Sequence, residues 1–212
     1  MAAPVYQQEG ASVLTISGAL VIFVITLVVS LYGLYRSQAV IERSLFRPYW
    51  LLRRQEYATV ITSGFVHADM MHLLLNMMTF YFFAFPLERF IGTVRFLVLY
   101  FAGLVLSHVG TYFKHRGNPQ YASLGASGAI SAVLFAYIVF FPDSSLFIIP
   151  IPVPIPAPLF AVAYLAYSWY SARNPTGRIN HDAHLNGALT GLVFVALTAP
   201  GAYGRLLDLV SG

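Results

Sequence analysis

The chain has 212 residues, 58% of them hydrophobic and only 9% charged, with no cysteine and a formal charge of +4. A soluble domain carries about 25% charged residues, so this chain cannot cover a water-facing surface, and its mean hydropathy of +0.70 agrees. Disulfides, thiolate metal sites and a cysteine nucleophile are excluded, and no basic patch stands clear of the apolar segments to bind nucleic acid. What the composition leaves is an all-α bundle of membrane helices in one domain over residues 1–212, with the lipid bilayer as its solvent.

The first predicted span runs from about Leu14 to Tyr35, rich in Val, Ile and Leu. Residues 1–10 contain no Lys or Arg ahead of it, so no cleavable signal is expected. The connection from Arg36 to Ala68 interleaves five Arg with Phe46, Tyr49, Trp50 and Tyr57, which suits an element lying among lipid headgroups. Span 2 covers about 69–90 and is heavy in Phe and Met; span 3 covers about 94–113. After a polar connection, span 4 runs over about 124–141 and opens with small residues. Proline then recurs at every second position from Pro150 to Pro158, which blocks helix and predicts an extended, polyproline-like stretch. Span 5 follows at about 158–172 and span 6 at about 183–197, making six in all.

In an apolar background the informative residues are the polar ones it does not require. They fall in three clusters: His67 to Asn76, Gly125-Ala126-Ser127-Gly128, and His181 to Gly187. Each lies at the start of an even-numbered span, and alternate spans run in the same direction, so the three clusters share one side of the membrane. Gly125 and Gly128 clear space around the Ser127 hydroxyl. Gly187 and Gly191 form the small-residue face that brings membrane helices into near contact, and His184 lies one turn before Gly187 on nearly the same face. Packing span 6 on span 4 therefore carries His184 toward Ser127. A serine hydroxyl is a weak nucleophile until an adjacent base takes its proton, and His184 is the natural base. On span 2, Asp69 can cap the helix, placing His72 in the first turn with Asn76 one turn on. Both side chains, with the Ser127 N–H, can donate to a developing oxyanion.

Taken singly, each residue has a plainer use. A lone serine in a span normally bonds its own backbone, a lone asparagine ties two helices together, and glycines are packing devices. Ser131, one turn after Ser127, reads as such a packing residue. It is the joint occurrence of the three clusters on one side that points to acyl transfer.

Gly125-Ala126-Ser127-Gly128 resembles the Gly-x-Ser-Gly motif of rhomboid proteases. His67, His72 and Asn76 are similar in spacing to that family's second-helix motif, and Ala183-His184-x-x-Gly187 to its sixth-helix motif. Glu88 to Gly92 resembles the acidic-to-glycine turn after the second helix. The resemblance implies a six-helix rhomboid fold and an intramembrane serine endopeptidase with a Ser127–His184 dyad and no catalytic acid. It implies an oxyanion site from His72, Asn76 and the Ser127 amide, supported by His67, Gly125, Gly128 and Gly187. It implies no cofactor and no metal. The substrates it implies are transmembrane-helix proteins that enter sideways between spans 2 and 5, where Tyr164, Tyr167 and Trp169 of span 5 are placed to pack on span 2.

Two other readings stay open at this stage. One is a catalytically silent rhomboid-like binder of membrane proteins; the other is a membrane hydrolase holding a metal through His67, His72, His181, His184 and Asp182. Orientation is likewise divided. The side carrying the even-span N-termini holds nine of the twelve basic residues, which the positive-inside bias assigns to the cytoplasm. The resemblance implies the reverse: a bacterial cell membrane with the active site facing the exterior.

Overall fold

Glu88 shows how the bundle is tied together at one end. Its buried carboxylate accepts hydrogen bonds from Gly18 N (2.6 Å), Ala19 N (3.1 Å) and the Ser17 hydroxyl. It thereby satisfies the free N–H groups that open the first helix and places a negative charge at that helix's positive end. The computed structural model, which contains these contacts, describes residues 16–148, 151–174, 177 and 179–211. The expected start of span 1 at Leu14 lies outside the described residues, as do Ile149 and Pro150 of the proline-rich run.

The first helix, α1, spans Gly18–Tyr35. The arginine-rich connection then folds into three short helices, α2 (Gln38–Ser44), α3 (Pro48–Arg53) and α4 (Thr59–Thr62), and a 3-10 turn over Ser63–Phe65. Its interleaved basic and aromatic residues pair locally, with the Arg53 guanidinium 3.9 Å from the Tyr49 ring and that of Arg54 3.7 Å from Trp50. Next come α5 (Met70–Ile91) and α6 (Thr93–His115), within two residues of the expected boundaries at both ends. The tight turn between them passes through Gly92, whose φ of +85° is one that glycine adopts without strain.

The sequence places the start of span 4 near Leu124, but α7 covers only Ser127–Phe140. The small residues before it form a loop, so Ser127 is the first helical residue. All of α7 is buried except Ser127 and Tyr137, which are half-buried. A helix of 14 residues is about 21 Å long, short of a bilayer, yet α7 presents almost no face to the surroundings. The aromatic core of Phe80, Phe96 and Tyr100 surrounds it together with Leu99.

The proline-rich run is extended, as expected, but it is paired rather than free. Strand β1 (Ser145–Ile148) runs antiparallel to β2 (Ile151–Pro156), with Leu146 opposite Ile155 and Ile148 opposite Ile151. Successive N–H groups of a strand point to opposite edges, so proline at alternate positions strips donors from one edge only and leaves the other able to pair. Helix α8 (Ala157–Arg173) follows directly and α9 covers His181–Thr198. A further helix, α10 (Ala202–Ser211), which sequence reasoning passed over, turns 113° away from α9.

Against the six expected spans, three helices among the described residues, α1, α5 and α6, are long and apolar enough to cross a membrane by themselves. Helix α7 falls short in length, and α9 carries His181, Asp182, His184 and Asn186 in its first two turns, which lowers its hydropathy. The bent pair of α9 and α10 reaches the threshold only when joined. The two helices that carry Ser127 and His184 are thus ones that depart from a plain apolar span.

Candidate active site

Four elements converge on the N-terminus of α7. The most extensive helix pair in the chain is α7 with α9, and it is closed by glycine: a Cβ on Gly187 would meet the Gly128 carbonyl oxygen at 2.0 Å, and one on Gly191 the Ala132 oxygen at 2.2 Å. A Cβ on Gly128 would in turn meet Ser107 Oγ of α6 at 2.3 Å. The small-residue face predicted on span 6 is thus the surface that meets span 4, and it brings His184 to the same end as Ser127. Asn180 starts α9 by accepting from Ala183 N through its side chain at 3.1 Å.

Asp69 caps α5, its carboxylate accepting from His72 N at 2.8 Å, as the sequence predicts. His72 and Asn76 then face the loop before Ser127: a Cβ on Gly125 would lie 2.7 Å from His72 Cε1, 2.9 Å from Nε2 and 3.8 Å from Asn76 Nδ2. With φ of +110° as well, Gly125 is a position that only glycine fills. The Asn76 amide nitrogen is buried and has no hydrogen-bond partner among the described residues. The loop itself is held by the 36–68 connection, through Gly125 N to Ser63 O (2.8 Å) and a two-way backbone pairing of Phe46 with Ser123. Sequence reasoning missed this support, because nothing in the spacing of Phe46 or Ser63 marks its distant partner, Ser123 or Gly125.

Ser127, His184, His72 and Asn76 all line one cavity of about 760 Å³, together with Asp69, Tyr121 and His181. Among the described residues no hydrogen bond joins Ser127 to His184, though both line this cavity. At the rim, Lys114 pairs with Asp182 at 2.8 Å and also donates to the Ala172 carbonyl, joining α6, α8 and α9. His115 stacks flat on Tyr121 with centroids 3.6 Å apart, and burial pushes the Tyr121 phenol up to about 12.

His67 stands behind His72. It is fully buried, its Nδ1 lies 2.9 Å from Ser30 Oγ, and its ring meets His72 edge-on at 4.9 Å between centroids. Burial, helped by the neighbouring His72, pushes His67 down to about 3, so it is neutral at ordinary pH.

One expectation changes. Among the described residues, the ring contacts of the α8 aromatics are with residues outside α5: Tyr164 meets Phe135 and His184, Tyr167 meets His181, and Trp169 lies under Arg173 at 3.8 Å. Ser131, read as a packing residue, ties α7 to α8 through a hydrogen bond with the Tyr164 hydroxyl at 2.8 Å. Of the side chains considered for a metal, His72, His181, Asp182 and His184 line the cavity while His67 stands behind it, and among the described residues no three such side chains form a group able to hold one.

The rhomboid domain matches residues 54–201, more than half of the chain, with His72, Asn76, Ser127 and His184 inside the match. The chain belongs to the rhomboid family. A candidate rhomboid protease of Bacillus subtilis, YdcA, is 37% identical over 83 residues, covering 39% of this chain and 41% of YdcA. The human mitochondrial presenilin-associated rhomboid-like protein is 31% identical over 144 residues, 64% of this chain and 36% of that protein. The mitochondrial RHOMBOID-like protein 12 of Arabidopsis thaliana is 28% identical over 163 residues, 68% of this chain and 47% of its own length. The matched part of this rhomboid is less than half the length of each of these relatives.

Proposed function

We propose that this rhomboid is an intramembrane serine endopeptidase that cleaves transmembrane-helix proteins. The observation that carries the reading is that Ser127 and His184 line the same cavity as His72 and Asn76, on helices locked by the Gly128–Gly187 contact. His184 takes the Ser127 proton as Oγ attacks the scissile carbonyl, and later returns it to the leaving amine. The tetrahedral oxyanion accepts from the unpartnered Asn76 amide, from His72 and from the Ser127 N–H, which is one of the free donors at the start of α7. The positive end of α7 favours the same charge.

In this reading α1, α5, α6, α7, α8 and α9 form a six-helix membrane bundle, and the short, buried α7 places the serine below the membrane surface. Substrates enter from the bilayer between α5 and α8, a route favoured by α8 resting on α9 and α7 rather than on α5. Neither metal nor cofactor is required. The membrane is the bacterial cell membrane and the cavity opens to the exterior.

The test is a fluorophosphonate probe on the purified protein, with the modified residue located by mass spectrometry. Labelling at Ser127, lost in Ser127→Ala together with cleavage of a membrane-protein substrate, is the expected result. Cleavage that persists in Ser127→Ala would sink the reading.

A further inference from the structure

Among the described residues, Tyr164 is the one side chain of α8 that reaches both the helix of the serine and the ring of His184. Its ring lies nearly parallel to His184, 24° between planes and 6.3 Å between centroids, within the range where offset aromatic rings attract. Its other neighbours are Phe135 of α7, at 5.3 Å, and Phe160 of its own helix, at 5.7 Å. Its hydroxyl is fixed by Ser131 Oγ at 2.8 Å. The ring can therefore neither tilt nor slide without breaking that hydrogen bond or leaving Phe135.

His184 has fewer restraints of its own. The rings that meet its imidazole are Tyr164 and His181, the latter edge-on at 5.9 Å, and no hydrogen bond among the described residues orients either imidazole nitrogen. A dyad without an acid to hold its base needs another means of fixing the imidazole plane. A flat, anchored ring supplies one.

We propose that Tyr164 is a positioning residue for His184, and that through it the placement of α8 sets the orientation of the base. The inference rests on the serine-protease reading above and adds to it a link between the wall that opens to substrate and the group that activates the nucleophile. When α8 sits on α7 with the Tyr164–Ser131 bond made, the imidazole is held in one plane. When α8 swings out, the stack is lost and the base is left free, so the chemistry waits until the wall has closed again behind the substrate.

The experiment compares Tyr164→Leu, Tyr164→Phe and Tyr170→Leu in purified protein, following both fluorophosphonate labelling of Ser127 and the kcat and KM of a membrane-protein substrate. Losing the flat ring should lower kcat and the labelling rate together by about ten- to a hundredfold, the scale of a misplaced catalytic group, while KM stays near wild type. The phenylalanine variant keeps the ring between Phe135 and His184 but loses the hydrogen bond to Ser131, so its rate should fall between those of wild type and the leucine variant, whereas Tyr170→Leu, at an exposed position of α8, should keep the wild-type rate. If the leucine variant does not fold, Tyr164→Met offers similar volume without a planar face and is expected to show the same loss. Wild-type labelling and kcat in a folded leucine or methionine variant would overturn the proposal alone. A wild-type protein that takes no label at Ser127 would overturn the protease reading and this proposal with it.

Discussion

Gly187 and Gly128 touch backbone to backbone, with room for no more than a hydrogen: a Cβ on Gly187 would lie 2.0 Å from the Gly128 carbonyl oxygen. The obstacle is main chain, which cannot rotate aside as the tip of a side chain can. Gly187→Ala should force α9 away from α7, costing about 1–3 kcal/mol as overpacking does, and should separate His184 from Ser127. Thermal unfolding and probe labelling should both fall. Gly204→Ala on α10 has nothing within 4 Å of the new methyl group, and it should leave both unchanged. Equal behaviour of the two variants would show that the α7–α9 contact is not as tight as described.

Ser127→Ala and His184→Ala should each abolish cleavage while leaving the melting temperature near wild type, since both side chains are only half-buried at the cavity. In the proposed mechanism the two act in one proton transfer, so the double variant should be no slower than either single one. Additive losses, measured as kcat/KM against one substrate, would mean that they act in separate steps.

The predicted oxyanion donors can be separated from the dyad by degree. Asn76→Ala and His72→Ala should each slow turnover by roughly a hundred- to a thousandfold, the usual cost of removing one such donor, and leave detectable cleavage. The structure adds a reason to expect the larger loss from Asn76: its amide nitrogen is buried without a partner among the described residues, whereas His72 also packs against His67. Rates within error of wild type in both variants would place the oxyanion elsewhere.

How much of this is legible from the sequence differs by residue type. The cap by Asp69, the one-turn spacing of His72 and Asn76, and the glycine face of α9 depend on helical period and on local chemistry, and all three stand where the sequence puts them. Pairings between distant residues are not legible. Nothing in the sequence says that Glu88 caps α1, that Phe46 pairs with Ser123, or that the hydroxyl of Tyr164 finds Ser131. The start of α7 is misplaced from sequence for a related reason. Gly125 has a small-residue neighbourhood that reads as helix packing, but its φ of +110° ends any helix there. Helix α10 escapes notice because its apolar residues lie on one face and never form a continuous run.

His67 gives a pH dependence with a definite sign. Its ordinary value of 6.5 applies to the unfolded chain, and in the fold it is pushed down to about 3. Between those values the unfolded state binds the extra proton, so stability rises with pH there and is lost as pH falls from 6.5 toward 3. The contribution is complete above 6.5. The melting temperature of detergent-solubilised protein should therefore drop on acidification, and His67→Gln should flatten that part of the curve. Parallel curves for wild type and variant would assign the acid sensitivity to other groups.

Orientation sets the charge bias against the family's topology, and the structure softens the conflict. Five of the nine basic residues on the active-site side belong to the 36–68 connection, and several are engaged locally: Arg47 pairs with Glu56 at 3.0 Å, while Arg53 and Arg54 stack on Tyr49 and Trp50. Of the others, Lys114 is neutralised by Asp182. The aromatic-rich connection that carries five of these charges suits the headgroup region of either leaflet, and the positive-inside bias is statistical. On the proposed topology the cavity faces the exterior. Gly117, at the turn after α6, has no atom within 4 Å of where a Cβ would stand, so Gly117→Cys should be tolerated in this cysteine-free chain. It should react with a membrane-impermeant maleimide on intact cells, whereas Gly201→Cys, in the turn between α9 and α10, should react only after lysis. The opposite pattern, with Gly201→Cys labelled from outside and Gly117→Cys protected, would invert the topology and restore the charge bias as the deciding term.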